Sequence, residues 1–426
     1  MKKYVFMTCN LHTLGGMQTY VAGKAKYLEE IGWEVYALFP GDNAANCSIT
    51  SLNKYVDGGF FWLNYLPCQI RNFTRKILLK QVANFLGDPK GSDEVIIESH
   101  NDRMAPWGEL LAKRLNAKHI TALLNEIYVG PNKHYREYID FYRFKLERKE
   151  LPFGGSKAKH LFDDETLAQK YETRRFAIDE DPVQDVDSPL IDSIKHDDWN
   201  IGHIGRAAKR HVPVIIDGIC EFAKNHPDHH IQFINIGDFS SRKEYYDERS
   251  KGIDNLTLVE LGNQSPIPRC FFKKVDVIIA ASGSARCSVY EGISVLVPNA
   301  KDSSCAGLLG YETKLSVIRD ASETQMSFAE GLERTLVMKV YEDMTFDYPP
   351  KPGVAECVKQ NFEFIETSEQ TKQYYPESKL CKGKKVKLNS KFVFRSFVQC
   401  YFPKTYERIL ERKRNKRKNR KKEVDK

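Results

Sequence analysis

The sequence has little that would support a zinc site, a disulfide scaffold or a membrane span. Its ten cysteines are scattered, and no two of them have the spacing Cys-x-x-Cys. That pattern argues against bound zinc and structural disulfides and predicts a reducing, cytoplasmic environment. No stretch approaches the roughly 18 apolar residues that cross a bilayer. The apolar run at the N-terminus has about four residues, fewer than the roughly seven of a signal sequence, so it predicts a buried first strand.

The composition is typical of a large folded protein. The chain has 426 residues, of which 41% are hydrophobic and 29% are charged. Its 24 Phe and 21 Tyr residues supply ample material for a core. This length predicts two or three domains.

The positive charge of the chain is concentrated near its C-terminus. Of the net charge of +8, residues 405–426 contribute +7, from eleven Lys or Arg against four Asp or Glu. Three interpretations stay open for this basic tail: contact with an anionic membrane, contact with RNA, or a solvated tail without a partner. We favour the inner face of a membrane, because Tyr401-Phe402-Pro403 precede the basic cluster Arg412–Lys422. A nucleic acid is the less favoured partner.

Hydrophobic periodicity predicts two runs of alternating strands and helices. The first run opens with a strand at 4–9, a helix at 17–31 and a strand at 34–39. The second has strands at 200–204, 231–236, 256–261, 275–281 and 295–298, with its clearest helix at 213–225. The stretch 47–88 has no assignable pattern. The alternation favours an α/β fold with two doubly wound domains. We place them at 1–195 and 196–370, followed by an extension at 371–404 that we expect to return to the first domain, and by the tail at 405–426.

Two loops in the second run have residues suited to a phosphate or diphosphate. Gly205 ends an apolar strand, and Arg206 and Lys209 follow it. A guanidinium can bind an anion through two hydrogen bonds, and an ammonium adds a point charge. The second loop, Ser282-Gly283-Ser284-Ala285-Arg286, lies between a strand and a predicted helix, where backbone amides attract anions. Surface charges in the first loop and a helix-capping serine in the second are the alternatives.

The first run contains two further candidates. Gly15-Gly16 separates a strand from a helix and would let backbone amides approach an anion, although tight turns are the commoner reason for paired glycines. This loop contains neither a Walker sequence nor a Gly-x-Gly-x-x-Gly fingerprint. His100 follows a strand in a polar segment, and it could donate a hydrogen bond or act as a general acid or base. A structural histidine is the alternative.

Five weak motifs, in this order and spacing, resemble the GT-B glycosyltransferases of the retaining type that includes bacterial cell-surface hexosyltransferases. The match spans about residues 1–310. Gly15-Gly16 with the helix that follows is similar to the first loop of that family, and Ile-Glu-Ser-His100 is similar to its strand that ends in histidine. The other three motifs are Ile204-Gly205-Arg206-Ala-Ala-Lys209, Val275-Asp276-Val-Ile-Ile-Ala-Ala-Ser282 and Gly292-Ile-Ser-Val-Leu-Val.

The resemblance implies two Rossmann-like domains that face each other across a cleft, with transfer of a hexose from a nucleotide sugar to a glycan or a lipid-linked acceptor. It implies catalytic roles for His100, Arg206 and Lys209. Donor binding is expected from Gly15, Gly16, Gly205, Ser282, Ser284, Ala285, Arg286 and Glu291. No metal and no cofactor besides the donor substrate are expected.

The sequence departs from the family at one important place. Such enzymes usually have Glu-x7-Glu after the serine, whereas the segment from Ser282 to Gly292 has one carboxylate, Glu291. Arg286 stands where an acidic residue is expected. A non-catalytic GT-B partner subunit or a nucleotide-sugar-binding protein is therefore the main alternative, and a GT-B epimerase or phosphorylase would share the fold.

Overall fold

The computed structural model describes two compact units in this chain. The described residues are 1–12, 14–40, 47–56, 60–89, 93–123, 137–152, 161–162, 164, 166, 182–299, 302–316, 326–351, 353–367, 373–386, 388–402, 405 and 408. Unit 1 comprises Met1–Ile178 and Cys357–Lys426, and unit 2 comprises Asp179–Glu356. The basic tail at 405–426, apart from Thr405 and Arg408, lies outside the described residues.

Unit 1 is built on a parallel sheet of four strands. These are β1 (Lys2–Met7), β2 (Glu34–Leu38), β3 (Glu94–His100) and β4 (Lys118–Ala122), in the order β2-β1-β3-β4. β1 is central and buried on both faces, as its Tyr-Val-Phe sequence favours. The helices of this part of the chain are α1 (Gly16–Glu30), α2 (Asn72–Phe85), α3 (Asn101–Leu115) and α4 (Ile139–Glu147).

Unit 2 contains a sheet of six strands in the order β12-β11-β10-β6-β7-β8. Its strands are β6 (Trp199–Ile204), β7 (Ile231–Ile236), β8 (Leu256–Glu260), β10 (Val277–Ile279), β11 (Ser294–Pro298) and β12 (Cys305–Leu308). All pairs are parallel except β11 with β12. A separate pair joins β5 (Val183–Gln184) to β9 (Ile267–Pro268).

The helices of unit 2 cover both faces of its sheet. They are α5 (Pro189–Asp192), α6 (Val212–Asn225), α7 (Lys243–Arg249), α8 (Gly283–Tyr290) and α9 (Phe328–Leu332). α6 begins with a proline in its first turn, where the missing amide is not needed, and it buries Ile215, Ile219 and Phe222. Short 3-10 helices span Thr50–Tyr55, Phe61–Asn64, Pro67–Gln69, Ser240–Arg242, Arg269–Lys273 and Val340–Asp343, and a π-helix spans Glu333–Val337.

The C-terminal segment contains three helices, α10 (Val354–Thr367), α11 (Glu377–Leu380) and α12 (Ser390–Tyr401), of which α11 and α12 pack on unit 1. Leu380 and Cys381 belong to the hydrophobic core of that unit. Arg75 of α2 pairs with Glu377 at 2.9 Å. Among the described residues, no helix is both long enough and apolar enough to cross a membrane.

Candidate functional site

The two predicted anion loops of unit 2 lie at the ends of neighbouring strands. β6 and β10 run parallel and pair at Ile201–Val277 and His203–Ile279. From β6 the chain continues to β7 and β8 on one side, whereas β10 and β11 lie on the other side. The carboxyl ends of β6 and β10 therefore flank the topological switch point, where open α/β sheets bind ligands. The fold thus brings Gly205–Lys209 and Ser282–Arg286 to one edge of one sheet.

Backbone contacts with the end of β7 hold the loop after β6. The amide of Gly205 donates to the carbonyl of Ile236 at 2.9 Å, and that of Ala207 donates to Asp238 at 3.1 Å. Gly237 lies so close that a Cβ on it would be 2.1 Å from the carbonyl oxygen of Gly205. Only glycine permits this approach. The backbone that positions Arg206 is consequently fixed by three residues of the neighbouring strand end.

Two histidines near Lys209, the buried His203 and the half-buried His211, are held in the neutral form. Burial, together with the charge of Lys209, lowers the pKa of His203 to about 4, although a hydrogen bond of 2.7 Å with Asn235 acts to raise it. Burial, Lys209 and His203 lower the pKa of His211 to about 3. Arg206 is exposed and Lys209 is half-buried. At neutral pH, the positive charge of this loop therefore comes from its Arg and Lys side chains.

Ser282 begins the second loop in an unusual backbone conformation, with φ 59° and ψ −128°. Its amide donates to the carbonyl of Ser316 at 2.6 Å, and its carbonyl accepts from the amide of Arg286 at 3.0 Å. Ser282 stands at the N-cap position of α8, as the capping-serine alternative requires, but its hydroxyl makes no capping hydrogen bond. The first turn of a helix has amides without intrahelical acceptors, and α8 presents those of 283–285 at this edge. Ser284 is half-buried and Ala285 is buried.

Glu291 is held by an arginine that the sequence did not indicate. Both of its carboxylate oxygens accept from Nη1 of Arg269, at 2.7 and 2.6 Å. Arg269 also donates to Asp185 at 3.0 Å. Any ligand of Glu291 must compete with this ion pair, and the donor-binding role of Glu291 stays a prediction.

In unit 1, the predicted residues lie at the corresponding switch point. β1 and β3 are parallel neighbours with β2 and β4 on opposite sides, so Gly15-Gly16 and His100 follow adjacent strands. Gly15 immediately precedes α1, and its carbonyl accepts from the amide of Thr19 at 3.1 Å. A Cβ on Gly16 would meet no atom of the described residues within 4 Å. The first turn of α1 therefore has open space beside its backbone.

His100 is fully buried in a polar cluster centred on Glu98, two residues earlier on the same face of β3. Nε2 of His100 lies 2.9 Å from Oε1 of Glu98, which also accepts from Tyr20 at 2.6 Å. The other oxygen, Oε2, accepts from Lys24 at 2.6 Å and from the hydroxyl of Tyr4. Burial acts to raise the pKa of Glu98, but Lys24 and His100 hold it well below its ordinary value.

This arrangement fixes the tautomer of His100. Because the carboxylate of Glu98 only accepts hydrogen bonds, Nε2 of His100 carries the proton, and neutral His100 has its lone pair on Nδ1. That Nδ1 is buried and has no hydrogen-bond partner among the described side chains and backbone. A buried polar atom without a partner is unusual in a folded protein. His100 is therefore an acceptor when neutral and a donor through Nδ1 when protonated.

Glu98 and Lys24 were missed as members of this cluster. Two signals could have indicated them: a carboxylate two positions before His100 in an apolar strand, and a lysine on the apolar side of α1. Both side chains have no exposure to solvent.

A cavity of about 170 Å³ lies at the opposite, amino edge of the unit 1 sheet. It contacts Lys145, which forms ion pairs with Glu109 at 2.6 Å and with Glu150 at 2.7 Å. None of the predicted site residues lines it. Among the described residues, no group of three or more His, Cys, Asp or Glu side chains could hold a metal ion.

Comparison with known proteins identifies the fold. No protein-family model and no curated protein matches the chain. Among solved structures, the chain is similar to HepE from Anabaena in complex with UDP and glucose, at 12% identity and a TM-score of 0.50, over 86% of this chain and 99% of that one. It is also similar to the UDP-GlcNAc 2-epimerase from Neisseria meningitidis bound to UDP-GlcNAc, at 14% identity and a TM-score of 0.49, over 86% and 100%. The first similarity, together with the two doubly wound sheets, shows that the chain has the GT-B fold.

Proposed function

We propose that the protein transfers a hexose, with retention, from a nucleotide sugar to a cell-surface glycan or a lipid-linked acceptor. The observation that carries this proposal is the geometry of unit 2. Arg206, Lys209 and the first turn of α8 lie at the ends of β6 and β10, on the two sides of the switch point. The proposed ligand there is the diphosphate of the donor.

The chemistry of transfer requires positive charge at this position. The bond from the anomeric carbon of the sugar to the diphosphate oxygen breaks, and its electron pair stays on that oxygen. A new bond forms to an acceptor hydroxyl, which loses its proton. Preorganised donors stabilise such a leaving oxygen as its negative charge develops. Arg206, Lys209 and the amides of α8 are assigned this role, and the neutral states of His203 and His211 leave the electrostatics to them.

We assign His100 and Gly16 of unit 1 to the sugar or acceptor side of the reaction. His100 would accept a hydrogen bond from a hydroxyl group through its unpartnered Nδ1. The open space beside Gly16 would admit a ligand against the start of α1.

A non-catalytic nucleotide-sugar-binding subunit is the second candidate. The observation that favours it is the ion pair between Glu291 and Arg269, which occupies the carboxylate nearest to the expected Glu-x7-Glu pair. Such a subunit would bind nucleotide without turning over the sugar.

The test is calorimetric titration with UDP, GDP and their hexose conjugates, combined with product analysis by NMR. We expect one nucleotide to bind, and Arg206→Ala to reduce both its affinity and the transfer rate at least about tenfold, or about 1.4 kcal/mol. Lys224→Ala is the matched control, because it removes one exposed positive charge at the far end of α6.

The outcomes distinguish the candidates. Binding without turnover would identify the partner subunit, and formation of an epimer of the donor would identify an epimerase. Absence of binding to any nucleotide at millimolar concentration would overturn the proposal.

A further inference from the structure

Helices α2 and α12 pack side by side in unit 1. Gln81 donates to Gln399 at 3.0 Å, and the ammonium of Lys80 lies 4.0 Å from the ring centroid of Tyr401. Cys400 of α12 is buried against α2, with its thiol 3.6 Å from the carbonyl of Ile77. Phe73 precedes Lys80 by seven positions and Phe394 precedes Tyr401 by seven, so each phenylalanine lies on the outward side of its helix, the side that carries the Lys80–Tyr401 contact.

These outward sides present aromatic rings to solvent. Phe73 and Phe394 are each 67% exposed, Phe402 is 54% exposed and Tyr401 is 45% exposed. Phenylalanine is among the residues most often buried, and large exposed apolar groups close to each other mark interaction sites. The core of unit 1 contains the opposite side of α2, with Leu78, Leu79 and Val82, and does not cover these exposed rings.

The two chain segments that contain these helices are rich in basic residues, although Arg75 is paired with Glu377. Residues 58–87 include four Lys or Arg and residues 378–406 include eight, and neither segment has an Asp or a Glu. Lys76 and Lys80 follow Phe73 at helical spacing, and Arg395 follows Phe394 directly. Burial raises the pKa of the Cys400 thiol, whereas the positive charges of Lys80 and Arg114 act to lower it. Cys400 therefore lies near two cations of this region.

We propose that this basic aromatic surface docks on an anionic membrane. The surface is formed by Phe73, Lys76, Lys80, Phe394, Arg395 and Tyr401. A helix with cations beside exposed Phe residues suits the interface of a bilayer, where rings enter the boundary of the acyl chains and cations meet the headgroups. The chain then continues into the basic tail at 405–426, whose eleven Lys or Arg have the same preference. The inference is independent of the transfer reaction.

A membrane fits this surface better than RNA does. Single-stranded RNA is generally bound in a groove in which bases stack on aromatic rings and cations follow the backbone. Here two rings, Phe73 and Phe394, project from the outward sides of two packed helices and have no polar group with which to read a base. Insertion into lipid requires rings that are exposed and that have no polar group.

The experiment is flotation of the full chain with vesicles of phosphatidylcholine, with or without 30% phosphatidylglycerol, at about 0.15 M salt. We expect binding to the anionic vesicles only. The double variant Phe73→Ser/Phe394→Ser should bind about tenfold more weakly although its basic tail is intact. The matched control, Phe346→Ser, removes a ring of unit 2 that is 49% exposed and should bind like the unchanged protein.

Tryptophan fluorescence is a second readout and reports directly on insertion of the ring into the bilayer. In Phe394→Trp, the emission of the new indole should shift to the blue on addition of anionic vesicles, and in Phe346→Trp it should not. Unchanged vesicle binding of the double variant would overturn the proposal, and so would the absence of a spectral shift in Phe394→Trp. Binding to a single-stranded oligouridine is measured in parallel. If the double variant loses that binding but keeps its binding to vesicles, the surface binds RNA and the proposal is overturned.

Discussion

Replacement of Gly237 by alanine should displace the loop that carries Arg206. The φ angle of Gly237 is +134°, and its Cβ would lie 2.1 Å from the oxygen and 2.8 Å from the carbon of the Gly205 carbonyl. Ordinary contacts of a Cβ begin at 3.4 Å. Because the clashing atoms are backbone, the Gly205 peptide must move by about 1 Å.

The expected effect has two parts. Alanine in a left-handed backbone conformation costs about 1–2 kcal/mol, and crowding in a packed region adds about 1–3 kcal/mol. The control variant is Gly252→Ala, because Gly252 also has a positive φ, +77°, but its Cβ would meet no atom within 4 Å in the part of the chain that the structure describes. It should show the backbone cost alone. The difference between the variants isolates the contact with Gly205.

The assay measures thermal unfolding and affinity for the nucleotide that the unchanged protein binds. A domain of 150–250 residues loses about 2–4 °C of unfolding midpoint per kcal/mol. We expect Gly237→Ala to unfold about 2–12 °C below Gly252→Ala, and to bind nucleotide about tenfold more weakly because Arg206 moves with Gly205. Equal midpoints and equal affinities for the two variants would refute the reasoning.

Two further predictions concern buried charge. Lys24→Met should reduce the free energy of unfolding by about 3–5 kcal/mol in a urea titration, because it leaves the carboxylate of Glu98 buried without its cation; an unchanged midpoint would contradict the ion pair. His203 has a pKa lowered to about 4 from an ordinary 6.5. As the pH falls, the unfolded state takes up the proton before the folded state does. The contribution of neutral His203 to the free energy of unfolding is therefore complete above pH 6.5 and is lost as the pH falls toward 4, with about 2 kcal/mol lost by pH 5. Urea titrations at pH 7.5 and 5 should show a smaller loss for His203→Gln.

Most strands and helices could be predicted because their apolar residues repeat with a regular period. The predicted strand at 200–204 and helix at 213–225 are confirmed as Trp199–Ile204 and Val212–Asn225, within one residue at each end. The stretch 47–88 gave no prediction for a physical reason. It contains three short 3-10 helices, which have no amphipathic period, and α2 buries Arg75 and Thr74 among its apolar residues.

The positions of the candidate site residues could be predicted where they depend on the ends of strands. The ion pairs between side chains of different elements could not. Arg206 and Ser282 follow two apolar runs, and parallel strands bring their carboxyl ends to one edge. The partner of Glu291 could not be found in this way, because Arg269 lies 22 positions earlier in a 3-10 helix. Periodicity does not relate residues of different elements.

The position of the Glu98 cluster, rather than its contribution to stability, connects it to function. A buried ion pair can usually be replaced by apolar residues of similar volume with no loss of stability, so Glu98 and Lys24 are not required to hold β3 against α1. Yet the cluster lies below the switch point of unit 1 and leaves one acceptor, Nδ1 of His100, without a partner. With apolar residues in place of Glu98 and Lys24 the sheet would remain, but no carboxylate would hold the proton of neutral His100 on Nε2 and the lone pair on Nδ1. The cluster therefore supports the proposed role of His100 in accepting a hydrogen bond from a ligand hydroxyl.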